Sequence, residues 1–196
     1  MKWTKQDTLA LQEYKRSVDS DNIKIKEKIK EILIQNRNII HVLNNKELES
    51  KDSEPDDYYG INILPYYLIS PTQTSVENFI CFETSFDELD RYNKLVKFQQ
   101  VIFYILCEEK NIIDKDTGIA RHDLLAELIM DEFNYTNYFG CKIHCVSDKP
   151  SVVDNDYACR TLIFQQTTDN NIVKTKNKTS KFINKEVHLW ERKLKK

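Results

Sequence analysis

Apolar side chains recur along this chain in two rhythms, one near 3.6 residues and one of two residues. They alternate between the rhythms in a definite order. After Ser20 or Asp21, either of which can cap a helix, Ile25, Ile29, Ile32 and Leu33 fall on one helical face with Lys and Glu opposite. Ile39, Ile40, Val42 and Leu43 continue that helix or form a second helical turn. The period then changes. Asn78 to Ser85 (NFICFETS) and Lys94 to Glu108 (KLVKFQQVIFYILCE) are rich in aromatic and β-branched residues, and Val101, Phe103, Ile105 and Cys107 share one face, so both segments are expected as strands. Helical spacing returns at Leu124, Leu125, Leu128, Ile129 and Phe133, with Asp123 at the favourable N-terminal end of the dipole. Gly140 is expected to open a strand, GCKIHCVSD, and Tyr157 to Gln166 (YACRTLIFQQ) a second, joined by a polar turn that holds Pro150.

The connections carry their own signals. Residues 46–57 (KELESKDSEPDD) hold six acidic and two basic side chains, too polar to pack, and predict a solvated loop. In YYGINILPYYLIS, Pro65 removes a ladder donor, which predicts an edge strand or a strand broken there. FDELDRYN has the polarity of a hairpin loop, and KNIIDKDTGIAR turns the chain with Gly118 available for a positive φ. The fold class that follows is α+β: an N-terminal helix, an antiparallel sheet with long hairpins, and one amphipathic helix packed on the sheet. Residues 21–168 form the core domain, residues 1–20 an N-terminal arm that forms a short helix or orders on a partner, and residues 169–196 a basic C-terminal arm.

Composition narrows the function. A chain of 196 residues builds one domain with a proper core and is short for two. A formal charge of −2 argues against binding nucleic acid with the whole surface, so charge-driven contacts must be local. The local charge is large at the end of the chain, where residues 174–196 carry nine Lys and Arg against Glu186 and Glu191, a balance of +7. Phe182, Ile183, Val187, Leu189, Trp190 and Leu194 recur there at intervals that suit a short amphipathic helix. This arm is either a solvated tail or one that reaches a neighbouring subunit or DNA phosphate, with Trp190 as anchor. No apolar run approaches the length of a membrane span, and MKWTKQDTLA lacks the apolar core of a signal peptide, so a cytosolic, non-membrane protein is expected. The five cysteines, an odd number in apolar surroundings, are expected as reduced core thiols.

Candidate chemistry is thin. Cys141, His144 and Cys145 have ligand types that suit zinc. On a strand, however, Cys141, Ile143 and Cys145 face one way and His144 the other, which favours core cysteines and a surface histidine. Asp56 or Asp57 with Glu83 is a faint match to the acidic pair of metal-dependent nucleases, but Ser85 stands where that motif needs a lysine, leaving the attacking water without its activator. A nucleophilic Cys paired with His41, His122, His144 or His188 is disfavoured by the apolar company of every thiol. With only Gly60, Gly118 and Gly140, no phosphate-binding loop or dinucleotide fingerprint exists. No enzyme activity, cofactor or metal is expected.

The order of elements resembles the small α+β proteins at the neck of tailed phages, the tail terminators and head–tail joining or completion proteins. The resemblance covers residues 22 to 168 and rests on element order together with NFICFETS, GIARHDLLAELIMDEFN and YACRTLIFQQ. The long acidic segment and the basic arm exceed the minimal core of those proteins. What the resemblance implies is a structural virion protein, assembled in host cytoplasm into a homo-oligomeric ring around the DNA channel. Its partners would be copies of itself, other neck, portal-side or tail-tube proteins, and DNA in the channel. Asp56 and Asp57 in the acidic segment and Trp190, Lys193 and Lys195 in the arm are the expected interface residues. The alternatives are a degenerate metal-dependent nuclease of a mobile element and a small nucleic-acid-binding accessory protein.

Overall fold

The computed structural model describes residues 4–12, 21–51, 53–67, 78–86, 96–152 and 157–169. A short helix α1 (Lys5–Gln12) starts at Thr4, whose hydroxyl and amide both engage the Asp7 carboxylate. The apolar stripe read from the sequence then forms α2 (Asp21–Gln35), which buries Ile25, Ile29, Ile32 and Leu33. Asn36 breaks the helix and caps the next one, α3 (Arg37–Leu43), by accepting from the amides of Asn38 and Ile39. Asn44 ends α3 in the left-handed region (φ 49°), a conformation that asparagine tolerates.

The acidic stretch that follows is folded, which corrects the expectation of a solvated loop. Asn45 caps a short helix α4 (Lys46–Ser50), and Leu48, only 8% exposed, plugs into the main core. Glu54 and Asp57 then close a reciprocal capping box on a 3-10 turn, Pro55–Tyr58, that buries Tyr58. One apolar side chain and two well-placed caps outweigh the polarity of the rest.

Five strands form one sheet: β1 (Ile63–Leu64), β2 (Asn78–Phe86), β3 (Val96–Glu108), β4 (His144–Val152) and β5 (Tyr157–Asp169), in the order β1-β2-β3-β5-β4. The expected α+β class is right. The sheet is antiparallel except at one edge, where the two-residue β1 runs parallel to β2 and stops before Pro65. Helix α5 (Arg121–Phe133) is entered through a turn in which Gly118 takes a φ of +70°. It packs on β3 and β5, α2 packs on β2, and α3 packs on α5, so the covered face carries three helices where the pattern suggested one.

The core lies between those helices and the inward residues Ile80, Phe82, Val101, Phe103, Ile105, Leu162 and Phe164. Phe103 is its centre, with ring centroids at 5.1 Å to Phe133, 5.7 Å to Phe164 and 6.3 Å to Phe82. Full burial of each such ring contributes about 2–3 kcal/mol. The opposite face buries a smaller cluster, Leu64, Phe79, Cys81, Leu106 and Cys159.

Two details of the last hairpin differ from expectation. Gly140, at φ +90°, lies in a turn, and β4 begins only at His144. Pro150 lies inside β4 opposite Arg160, and not in the connecting turn. β4 is an edge strand, so the missing N–H at Pro150 can face away from the ladder at little cost.

Candidate assembly interface

The acidic segment is tied to α2 by a ladder of charges. Lys30 donates to the Asp56 carboxylate at 2.9 Å and lies over the Tyr59 ring, 4.8 Å from its centroid. The Asp56 hydrogen bond raises the Lys30 pKa above its ordinary value. One turn earlier on the same helix, Lys26 donates to Glu83 at 2.5 Å and to the carbonyl of Pro65 at 2.6 Å. Residues four apart on a helix are neighbours. The structure therefore brings Asp56 and Glu83 to adjacent positions along α2, each against its own lysine.

Asp57 does something different. Its Oδ2 accepts from the Glu54 amide at 3.0 Å, so it holds the turn that presents Asp56. Both aspartates remain exposed, as do Glu47, Glu49 and Glu54. The result is an acidic surface built on α4 and the 3-10 turn. Trp190, Lys193 and Lys195, the basic half of the expected contact, lie outside the described residues.

Among the described residues no group of three or more His, Cys, Asp and Glu side chains is placed to hold a metal. Cys141 and His144 are exposed, while Cys145 is half-buried, with its thiol against the Ser147 carbonyl at 3.3 Å. Ile143 and Cys145 pack at the main core while His144 is exposed, as the expected alternation requires. Cys141 precedes β4 and does not face the core, and the register shifts only beyond Cys145, at a bulge before Ser147. Of the five thiols expected in the core, Cys81, Cys107 and Cys159 are buried there and Cys141 is not. Burial pushes the Cys107 thiol up to about 12, too high for a nucleophile at neutral pH.

Several organising residues gave no signal in the sequence. Arg160 on β5 forks onto Asp148 of β4, with Nε at 2.7 Å and Nη2 at 2.8 Å, and also reaches Asp123 of α5 at 2.5 Å. That double partnership raises the Arg160 pKa and pins the edge strand to the helix layer. Arg121 is buried, with Nη2 3.0 Å from Asp114 and with Nη1 and Nε donating to the carbonyls of Val42 and Asn111. Tyr135 adopts φ +62° in the turn after α5, with its ring two-thirds exposed and Lys142 stacked 5.2 Å from its centroid. Read from the sequence, each of these is an ordinary surface residue. Only their three-dimensional neighbours distinguish them.

Among the described residues, an α+β domain with helices on one sheet face, β4 at a sheet edge and an acidic surface on α4 and the 3-10 turn is the class that fold and surface define. A family model described as YomW matches residues 36–166, and the chain belongs to that family. The match begins at the cap of α3 and ends at Gln166 on β5, so it includes the acidic segment and all of the sheet but the last three residues of β5, and it leaves α1 and α2 outside. No curated protein matches the chain. No helix among the described residues is long and apolar enough to cross a membrane.

Proposed function

We propose that this protein is a structural component of a tailed-phage particle, a neck protein of the tail-terminator or connector kind that closes into a ring around the DNA channel. The family name is of the style given to phage-derived proteins, which supports the general setting. The observation that carries the reading further is the acidic surface. Instead of a loose loop, it is a fixed feature locked by two helix caps and the Lys30–Asp56 pair.

A ring is built from one heterologous contact repeated until it closes, and that contact needs two different, complementary patches on each copy. This chain has the two charges: acidic side chains concentrated on residues 46–57 and a +7 balance on residues 174–196. Charge complementarity of this kind sets register and partner choice more than raw affinity. Among the described residues β4 has no strand on its outer side, and an edge of this kind supplies a second means of joining copies by offering backbone donors and acceptors to a neighbour. The other long edge, on β2 beyond its short pairing with β1, is occupied by α2 through the Asn22–Thr84 and Lys26–Glu83 contacts. In this reading the protein joins tail to head by assembly, without chemistry.

The test is the composition of purified particles. Quantitative mass spectrometry of particles from the phage that encodes this chain is expected to find it at a fixed, small copy number. Abundance in infected cells with absence from particles would overturn the virion assignment.

A further inference from the structure

We propose that the turn after α5 is an interaction surface, in which Tyr135 and Lys142 receive a carboxylate from the acidic surface of a second copy of this chain. The contact rests on the ring reading and deepens it by giving it an aromatic anchor. Tyr135 adopts φ +62°, in the left-handed region where a bulky side chain is strained and where Gly or Asn sits at lower cost. Burial does not offset that cost, because the ring is 66% exposed and meets the Lys142 ammonium 5.2 Å from its centroid. The backbone around it is firmly tied. The Tyr135 amide donates to the Ile143 carbonyl at 2.8 Å, the Ile143 amide to the Thr136 carbonyl at 3.0 Å, and the Thr136 hydroxyl to the Phe133 carbonyl at 2.8 Å. Phe139 stacks on the buried Phe133, and Gly140 takes the positive φ that closes the turn. Strain retained beneath an exposed ring points to use of that ring outside its own molecule.

The chemistry of the partner follows from the donors. Tyr135 Oη and Lys142 Nζ both carry hydrogens to donate, and neither meets a carboxylate among the described residues. The same turn shows the pairing such a hydroxyl makes, since Tyr138 donates to the Glu132 carboxylate at 3.0 Å. Glu47 and Glu49, both exposed on α4, offer carboxylates of this kind. Asn36 at the start of α3 donates to Glu132 near the end of α5, and Arg121 at the start of α5 donates to Val42 near the end of α3, so the two helices run antiparallel. α4 follows α3 and Tyr135 follows α5, which puts the two surfaces at opposite ends of the pair, about 20 Å apart by the length of α5. They are too far apart to meet within one copy. Between copies, the turn of one meets α4 of the next, head to tail, and that is the repeat a ring needs. Tyrosine suits the centre of such a contact, because it buries a large amphipathic ring with little loss of conformational freedom.

The experiment follows self-association of the full chain by sedimentation velocity over a wide concentration range. Tyr135→Gly removes the ring and relieves the backbone, so it is expected to melt at or above the wild-type temperature and to weaken association by about tenfold or more. Glu47→Lys combined with Glu49→Lys is expected to weaken it similarly, with the circular dichroism unchanged. At concentrations where neither variant associates alone, an equimolar mixture is expected to form a complex of one copy of each, because each retains the surface the other has lost. Wild-type oligomers that survive Tyr135→Gly would overturn the proposal and leave the ring reading standing. Open chains or dimers that dissolve with Tyr135→Gly would support the contact and overturn the ring. Loss of association in both variants without a mixed complex would overturn the head-to-tail pairing, and a wild-type protein that stays monomeric throughout would overturn both readings.

Discussion

The side-chain amide of Asn45 donates to Oδ1 of Asn62 at 2.7 Å, and both residues are buried. The relationship extends in both directions. Asn45 Oδ1 caps α4 through the amides of Glu47 and Leu48, Asn62 donates to the main-chain carbonyl of Asn78 at 2.9 Å, and Asn78 donates to the carbonyl of Leu43 at 2.9 Å. Three asparagines thus fasten the end of α3, the start of α4, the approach to β1 and the first residue of β2. The acidic surface is mounted on this junction.

Asn62→Leu is expected to leave the Asn45 amide and the Asn78 carbonyl buried without partners, at about 1–3 kcal/mol each. Asn45→Asp keeps the cap acceptor and loses the donor, whereas Asn45→Ala loses both, so stability is expected in the order wild type, Asn45→Asp, Asn45→Ala. Urea unfolding followed by circular dichroism measures the order. Equal midpoints for all three proteins would contradict the network.

The Asp114–Arg121 pair gives a pH signature. Hydrogen bonds from the Thr117 hydroxyl and amide, with the Arg121 guanidinium, hold the Asp114 carboxyl below its ordinary 3.8. A depressed carboxyl stabilises the fold above the unfolded value and loses that contribution as pH falls from about 3.8 through the lower folded value. Asp114→Asn is therefore expected to be less stable at neutral pH by about 3 kcal/mol, the penalty for stranding a buried partner charge. The gap between the two proteins is expected to close below the ordinary carboxyl range. Thermal melts from pH 7 down to pH 2.5 measure it, and a gap independent of pH would contradict the pairing.

Thiol labelling checks the hairpin geometry. Cys141 is exposed and Cys145 half-buried, whereas Cys81, Cys107 and Cys159 are buried. One cysteine is expected to react with an aromatic disulfide at once, a second slowly, and the remaining three only on unfolding. Peptide mapping identifies them. Rapid reaction at Cys107 would contradict its place beside Arg121 in the core.

What could be read from the sequence was apolar rhythm. Ile25, Ile29, Ile32 and Leu33 marked α2, the alternation around Phe103 marked β3, and Leu125, Ile129 and Phe133 marked α5, because each period reports one buried face. Polar residues with tertiary roles carry no such rhythm, so Asn45, Asn62, Arg121 and Arg160 give no signal in the sequence. Leu48 shows the same limit from the other side: one apolar residue among charges is too short a signal, yet with the Asn45 cap it anchors a helix. Pro150 was read as a turn because a proline excludes a central strand, and only the sheet order shows that its strand is an edge. Of the expected interface, Asp56 and Asp57 are placed on a fixed acidic surface, and Trp190, Lys193 and Lys195 lie beyond the described residues.

Ring assembly is tested most directly by native mass measurement with negative-stain imaging of the full-length protein, over a wide concentration range and at low and high salt. Closed rings of a single stoichiometry, with a central channel and loosened by high salt, are the expected result. A monomer at every concentration and in both salts would contradict it.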